Sequence, residues 1–318
     1  MNRRKFISGI SSLGIASAVP FGALPVKKKV KNDELIIDIH QHMFYHGRTD
    51  KELLEHQKSM GVTHTILLPA GRPAFTKATH YGHSNGLQAQ CGVNIACYNF
   101  AKDYPDSFSF AANEVPDIPD AVDEVERYLK LGAKMIAEVK FGLACDSPYM
   151  QKYYELAAEY DVPILMHWQY ETFNLGFERF YKMLEKYPKT NFIGHAQTWA
   201  ANIDKNQENH PYDLYPKGTI EPGGLTDKYL SDYENMYSDL SAGSGLNAYT
   251  RDDDFISDFF DRHQDKLLFG SDCADSKGYG EACDGAGIIS VIRRLSKSKT
   301  IERKILYENA SRLFKIDV

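Results

Sequence analysis

The sequence has little with which to grip a polyanion. Its 37 Lys and Arg are outnumbered by 43 Asp and Glu, for a net charge of −6 at neutral pH, whereas binding a phosphate backbone needs a basic footprint. A nucleic-acid partner is therefore not expected. A run able to cross about 30 Å of hydrocarbon is also missing: the weakly hydrophobic stretch ahead of Leu24 is short and diluted with Gly, Ser and Ala. Cysteine is scarce. Five is an odd number, so at least one stays unpaired within the chain. Cys91 and Cys97 fall in a helical pattern and read as core, while Cys273 and Cys283 flank a glycine-rich loop and could pair in an oxidising compartment.

What is present falls into three parts. Residues 1–24 open with Asn2-Arg-Arg-Lys-Phe-Ile-Ser8 and continue through small residues, with cleavage-like sites at Ala16-Ser17-Ala18 and Phe21-Gly22-Ala23. That is the layout of an export signal, and the paired arginines ahead of Phe6 resemble the twin-arginine type, which delivers folded protein to the periplasm. No stable membrane insertion is expected after its removal. Residues 25–34 read as a solvated, Lys-rich linker, and residues 35–318 as one domain.

In that domain short apolar runs alternate with helical periodicity. The runs are Leu35–His42, His64–Pro69, Ser107–Ala112, Lys134–Phe141, Val162–His167, Asn191–His195, Met236–Ser241 and Lys266–Asp272. Eight strands alternating with helices predict an α/β fold, a parallel (β/α)8 barrel. Helices are expected over Asp50–Gly61, Leu87–Tyr104, Ala121–Leu131, Pro148–Tyr160, Phe177–Tyr187, Asp252–His263 and Thr300–Leu313. About 40 residues separate His195 from Met236, a length that predicts a functional lid over the active-site face.

Polar residues recur where these strands end. His40 and His42 are two apart, so in an extended strand both imidazoles point to one side. Glu138 and Lys140 lie on strand four, His167 closes strand five, His195 closes strand six, and Asp272 closes strand eight. A barrel gathers such ends at one rim. Each residue alone could be an ordinary hydrogen-bonded or capping group, but together they predict a metal site.

His40-Gln-His42 after a strand, Pro163-Ile-Leu-Met-His167, Phe192-Ile-Gly-His195, Leu268-Phe-Gly-Ser-Asp272 and Asn309-Ala-Ser-Arg-Leu-Phe314 resemble the amidohydrolase superfamily. The likeness is to the amidohydrolase-related (amidohydrolase 2) family, in the branch that includes aminocarboxymuconate-semialdehyde decarboxylase. It implies a metal held by His40, His42, His167 and Asp272, with His195 a catalytic imidazole or a ligand to a second metal. Glu138 departs from single-metal members and is similar to the bridging Glu of TatD-type hydrolases. An inward pair of Glu138 with Lys140 is the alternative, and Lys140 could itself be carboxylated.

The implied cofactor is one or two divalent metals, zinc first and manganese as the alternative. Asp272 would ligate through one oxygen and take the proton of the attacking water through the other, suiting attack on an amide, ester or lactone. The competing expectations are a non-oxidative decarboxylase and a metal-binding barrel without turnover. A small-molecule substrate is the expected partner, with homo-oligomerisation open. Candidate substrate groups on the loops are Arg48 and Tyr45 after strand one, Arg72, His80 and His83 after strand two, Trp168 after strand five, and Lys140. Surface ion pairing is the plainer role for each charged one.

Overall fold

Apolar residues of the eight strands bury on two faces, which only a sheet covered on both sides can satisfy. The structure, a computed structural model, describes residues 35–72 and 91–317. The signal-like segment, the linker and the His80–His83 stretch lie outside the described residues. The strands are β1 (Ile37–Gln41), β2 (His64–Leu67), β3 (Phe108–Phe110), β4 (Ile136–Val139), β5 (Ile164–His167), β6 (Phe192–His195), β7 (Met236–Asp239) and β8 (Leu267–Leu268).

All pairings are parallel: β1-β2-β3 form one ladder and β4 through β8 another. Two seams close the ring. Ala112 N–H donates to Met135 O across 2.9 Å between β3 and β4, and Ile39 N–H donates to Phe269 O across 3.1 Å between β1 and β8. The result is the expected (β/α)8 barrel.

Side chains sort into two layers. Ile37, Ile39, Ile66, Leu68, Leu165 and Ile193 belong to one cluster, the barrel interior, which Ala310 and Phe314 of the last helix and Ile316 just beyond it join. A larger cluster, with Leu67, Ile164, Met166 and Phe192, packs the strands against the outer helices. Each such aliphatic side chain contributes about 1.5–3 kcal/mol by leaving water.

The first helix, Asp50–Met60, shows how the outer layer forms. Thr49 and Glu52 make a reciprocal capping box, and Gly61 ends the helix at φ +81°. Leu53, His56, Gln57 and Met60 bury one stripe at i, i+3, i+4 and i+7.

Several expected elements take another form. The expected Leu87–Tyr104 helix is observed as Asn94–Asp103, so Cys97 lies in it and Cys91 before it, with 87–90 outside the described residues. Helices Ala242–Tyr249 and Asp284–Leu295 are additions. The connection after β6 is not a bare loop: it carries helices Ala196–Ala201 and Leu225–Asp232 and a 3-10 turn at Lys205–Asn209. Asp204 pins it, pairing with Arg251 at 2.7 Å and accepting from Asn206 and Glu221 N–H. It touches the loop after β5 where the Tyr170 and Tyr212 rings lie 4.8 Å apart.

Candidate metal centre

Two irregularities in the ladders aim the key side chains. From Asp38 to Gln41, β1 advances three residues while β2 advances two, from Thr65 to Leu67. Between Ile136 and Val139, β4 likewise gains one residue on β5. An extra residue in one strand reverses which face the following side chains occupy. Ile37 and Ile39 sit in the interior cluster, and so by strict alternation His40 and His42 would leave it. The bulge turns both back to the mouth of the barrel, and the second bulge does the same for Glu138. His167 and His195 need no such device, because Leu165 and Ile193 of their own parity already face inward.

The structure brings together the six residues expected to hold metal. His40, His42 and Glu138 converge, as do Glu138, His167 and His195, and His40, His195 and Asp272. His40 Nε2 and His42 Nε2 are 3.2 Å apart. Asp272 divides its oxygens, Oδ1 lying 3.5 Å from His42 Nε2 and Oδ2 lying 3.6 Å from His195 Nε2. Glu138 divides its own in the same way: Oε2 lies 3.6 Å from His42 Nε2, while Oε1 lies 3.6 Å from His195 Nε2 and against His167 Nδ1. All six are buried or nearly so.

A metal ion fits this donor set. His42 Nδ1–H donates to Leu68 O at 2.8 Å, and His40 Nδ1–H donates to Asp239 Oδ2 at 2.7 Å. In the neutral tautomers so fixed, both Nε2 lone pairs point at one another, an arrangement that calls for a cation between them. Asp272 Oδ1 and His167 Nε2 are buried without a hydrogen-bond partner, and buried polar atoms are rarely left so.

Electrostatics within the protein alone agree. Burial opposes charge on His40, yet Asp272, Asp239 and Glu138 outweigh it and lift its pKa to about 10. Burial and the neighbouring His40 push His42 down to about 3. Burial lifts Asp272 to about 6 against the pull of His40 and His195. Glu138 resists the same burial because His167 beside it, with Lys140 and His40, holds its carboxyl well below the usual range. Carboxylates that favour a positive charge at this point would be answered equally by one cation placed among them.

The sequence reading missed Asp239 and Ser241. Asp239 ends β7 and is fully buried; its Oδ2 also lies 3.1 Å from His195 Nδ1 and accepts the Ser241 hydroxyl at 2.7 Å. One carboxylate therefore orients two of the candidate ring ligands. Gly270 permits it: a Cβ there would stand 2.5 Å from Asp239 Oδ1 and 2.8 Å from His40 Cβ. The available signal was position, since Asp239 closes a strand as the ligands do.

The expected substrate groups fare differently. Arg48 points into the protein, where its guanidinium donates to the Cys273, Asp275 and His42 carbonyls and to Gln41 Oε1. It clamps the β1 and β8 ends rather than waiting for a carboxylate. Arg72 pairs with buried Glu114 at 3.2 Å and donates to Asp120 O. Lys140 lies with its ammonium 5.4 Å from the Phe173 ring centroid. Trp168 is buried against Phe177 and Phe180 and lines a cleft of about 510 Å³ formed by the loop after β5. Tyr45 does face the site: its ring is 5.0 Å from that of His42, and Asp272, with burial, drives its phenol well above the usual range.

No protein-family model matches this chain, and no protein of curated function matches it. Solved structures do. A 2,6-dihydroxybenzoate decarboxylase from Rhizobium superposes with a TM-score of 0.55 at 17% identity, over 88% of this chain and 98% of that one. A probable 2-pyrone-4,6-dicarboxylic acid hydrolase from Acinetobacter baumannii gives 0.55 at 15% identity, over 88% and 99%. A 5-carboxyvanillate decarboxylase from Novosphingobium aromaticivorans, with bound manganese, gives 0.51 at 15% identity, over 84% and 81%. At these identities the likeness is one of fold, shared also with a TIM-barrel protein from Bordetella bronchiseptica and a putative amidohydrolase from Staphylococcus aureus.

Proposed function

We propose that this chain is an amidohydrolase-superfamily enzyme of the amidohydrolase-related family, hydrolysing a carbonyl C–N or C–O bond in a small amide, ester or lactone. The observation that carries the reading is the convergence of six donors from five strand ends, with Asp272 Oδ1 and His167 Nε2 buried and unpaired. His40, His42, His167 and Asp272 would hold the principal divalent metal, zinc by its preference for imidazole, with manganese the alternative. Glu138 stands between the two histidine groups, where it would be a further metal ligand, similar to the Glu of the TatD pattern. A metal there supplies a water whose pKa falls from 15.7 to about 7.

The protein's own groups do the rest. Asp272 Oδ1 is turned to the histidine pair, which leaves Oδ2, beside His195, to take a proton from the attacking water and return it to the leaving group. His195, its Nδ1 held by Asp239 and Ser241, turns Nε2 toward Asp272, where it would hold a second metal or, as an imidazolium, hydrogen-bond the substrate carbonyl oxygen. Tyr45 offers a phenol on the same rim.

Non-oxidative decarboxylation of a carboxylated substrate is the second reading. It is supported by decarboxylases among the structures of this fold, one of them with manganese. Lactones, N-acyl amino acids and aromatic carboxylates, offered to zinc- and manganese-loaded protein with carbon dioxide and hydrolytic products measured in parallel, separate the two. Metal below about 0.2 per chain that added metal does not raise, or no turnover on any class, would reduce the protein to an inactive barrel. The His40→Ala/His42→Ala double variant should lose this metal.

A further inference from the structure

A second cluster of ligand-type side chains lies behind the barrel mouth. His56, from the buried stripe of helix Asp50–Met60, meets Cys273 and Asp275 from the turn after β8 and Cys283 from the cap of helix Asp284–Leu295. We propose that these four residues form a closed tetrahedral zinc site that fastens this turn to both helices.

Four of the six ligand-to-ligand distances lie close to tetrahedral edges, and all six separations between the ligand atoms are within 4.8 Å. With zinc about 2.3 Å from sulfur and 2.0–2.1 Å from nitrogen or oxygen, tetrahedral edges are about 3.8 Å for S···S, about 3.5 Å for S···N and about 3.3 Å for N···O. Cys273 Sγ and Cys283 Sγ are 3.7 Å apart. His56 Nε2 lies 3.2 Å from Cys273 Sγ, 3.6 Å from Cys283 Sγ and 3.0 Å from Asp275 Oδ2. A disulfide would bring the sulfurs to about 2.05 Å, and nothing in that pairing calls for a histidine and a carboxylate at the same point.

The surroundings suit an ion. Asp275 Oδ1 is occupied by the N–H groups of Lys277 and Gly278 at 2.8 and 2.9 Å, which leaves Oδ2 as a single aimed ligand. His56, Cys273 and Cys283 are buried, so no position stays open for water and the site is structural. Two thiolates, one carboxylate and Zn²⁺ carry a net charge of −1. Arg48 answers it, donating to the carbonyls of Cys273 and Asp275 at 3.0 Å each. Gly278 allows the turn to close, because a Cβ there would stand 2.2 Å from His56 O. Both thiols give their protons to solvent as the metal enters. Cys273 directly follows Asp272, so the site anchors the chain at the residue proposed as base.

None of these ligands belongs to the barrel-mouth set, so the two readings stand or fall separately. Cobalt(II) in place of zinc reports thiolate ligands through near-ultraviolet charge-transfer absorption. That band is expected in cobalt-loaded wild type and in the His40→Ala/His42→Ala variant, and it should vanish in Cys283→Ser. Zinc content should fall by about one equivalent in Cys283→Ser and in His56→Ala. The wild-type spectrum decides even if these variants fail to fold. Absence of the band in cobalt-loaded wild type overturns the proposal, and so does a Cys273–Cys283 disulfide in the intact mass of the unreduced protein.

Discussion

Asp239 Oδ2 accepts the Nδ1–H of His40 across 2.7 Å, in a pocket from which both side chains exclude water entirely. That contact fixes the tautomer of His40 and leaves its Nε2 for a metal. Asp239→Ala removes the acceptor and strands buried N–H groups on His40 and His195. Groups that orient metal-ligating histidines typically account for 10–100-fold in metal affinity. A loss in that range is expected for Asp239→Ala in competition with a chromogenic chelator, with a smaller loss for Asp239→Asn, whose amide oxygen still accepts one bond. Unchanged affinity in the Ala variant would mean that Asp239 does not orient the ligands.

A different buried carboxylate sets an acid limit on stability. Asp227 accepts from His263 Nε2 at 2.5 Å and from Arg262 at 2.6 Å. Burial works against its ionised form, but these two partners prevail and hold its pKa below the ordinary carboxylate value. A folded pKa below the unfolded one means that the unfolded chain takes up the proton first as pH falls. The stabilisation is therefore complete above about pH 4 and fades as pH drops through the folded value. Asp227→Asn should cost about 1.5–3 kcal/mol in urea unfolding at pH 7 and less near pH 3. An equal cost at both pH values would assign the effect to packing rather than charge.

Much of the mouth of the barrel was legible because the residues that converge there close apolar strands. Periodicity marks the strands, and His or Asp at their ends stands out against Ile and Leu. What the chain hides is parity. From Ile37 and Ile39 inward, strict alternation sends His40 outward, and only the bulge across Asp38–Gln41 reverses it. Asp239 escaped because a carboxylate that holds ligands looks, in sequence, like one that binds metal. Arg48 looked available because its carbonyl partners Cys273 and Asp275 lie some 225 residues away in the chain. Helix Ala242–Tyr249 was masked by Gly243 and Gly245, poor helix formers; a Cβ on Gly245 would come within 2.1 Å of Leu240 O.

Export remains a proposal carried by Arg3 and Arg4 ahead of Phe6. Lysine keeps the charge but not the twin-arginine signature. The Arg3→Lys/Arg4→Lys variant should therefore accumulate in the cytoplasm on fractionation while wild type reaches the periplasm. Export of the variant at wild-type yield would point to the general secretory route or a different signal.

Asp272 has two tasks to perform at once. Its backbone is held in the left-handed region at φ +41°, with its N–H donating to His40 O at 2.8 Å, so the carboxylate is aimed by the end of β1. Such backbone positions persist where surrounding structure enforces them, often at functional sites. Asp272→Asn keeps the size and an oxygen able to face the histidine pair, but the amide cannot take up a proton. Loss of a general base costs about 10²–10⁴ in rate, whereas a weakened ligand lowers occupancy instead. The variant should therefore retain most of its metal and lose kcat by that factor on whichever substrate is found. His195→Asn should also lower kcat, and where two ions are bound it should take the metal content from two towards one. A fully loaded Asp272→Asn enzyme with near-normal turnover would end the proton-transfer role of Asp272, and it would leave either decarboxylation or a His195-centred reaction as the better account of this site.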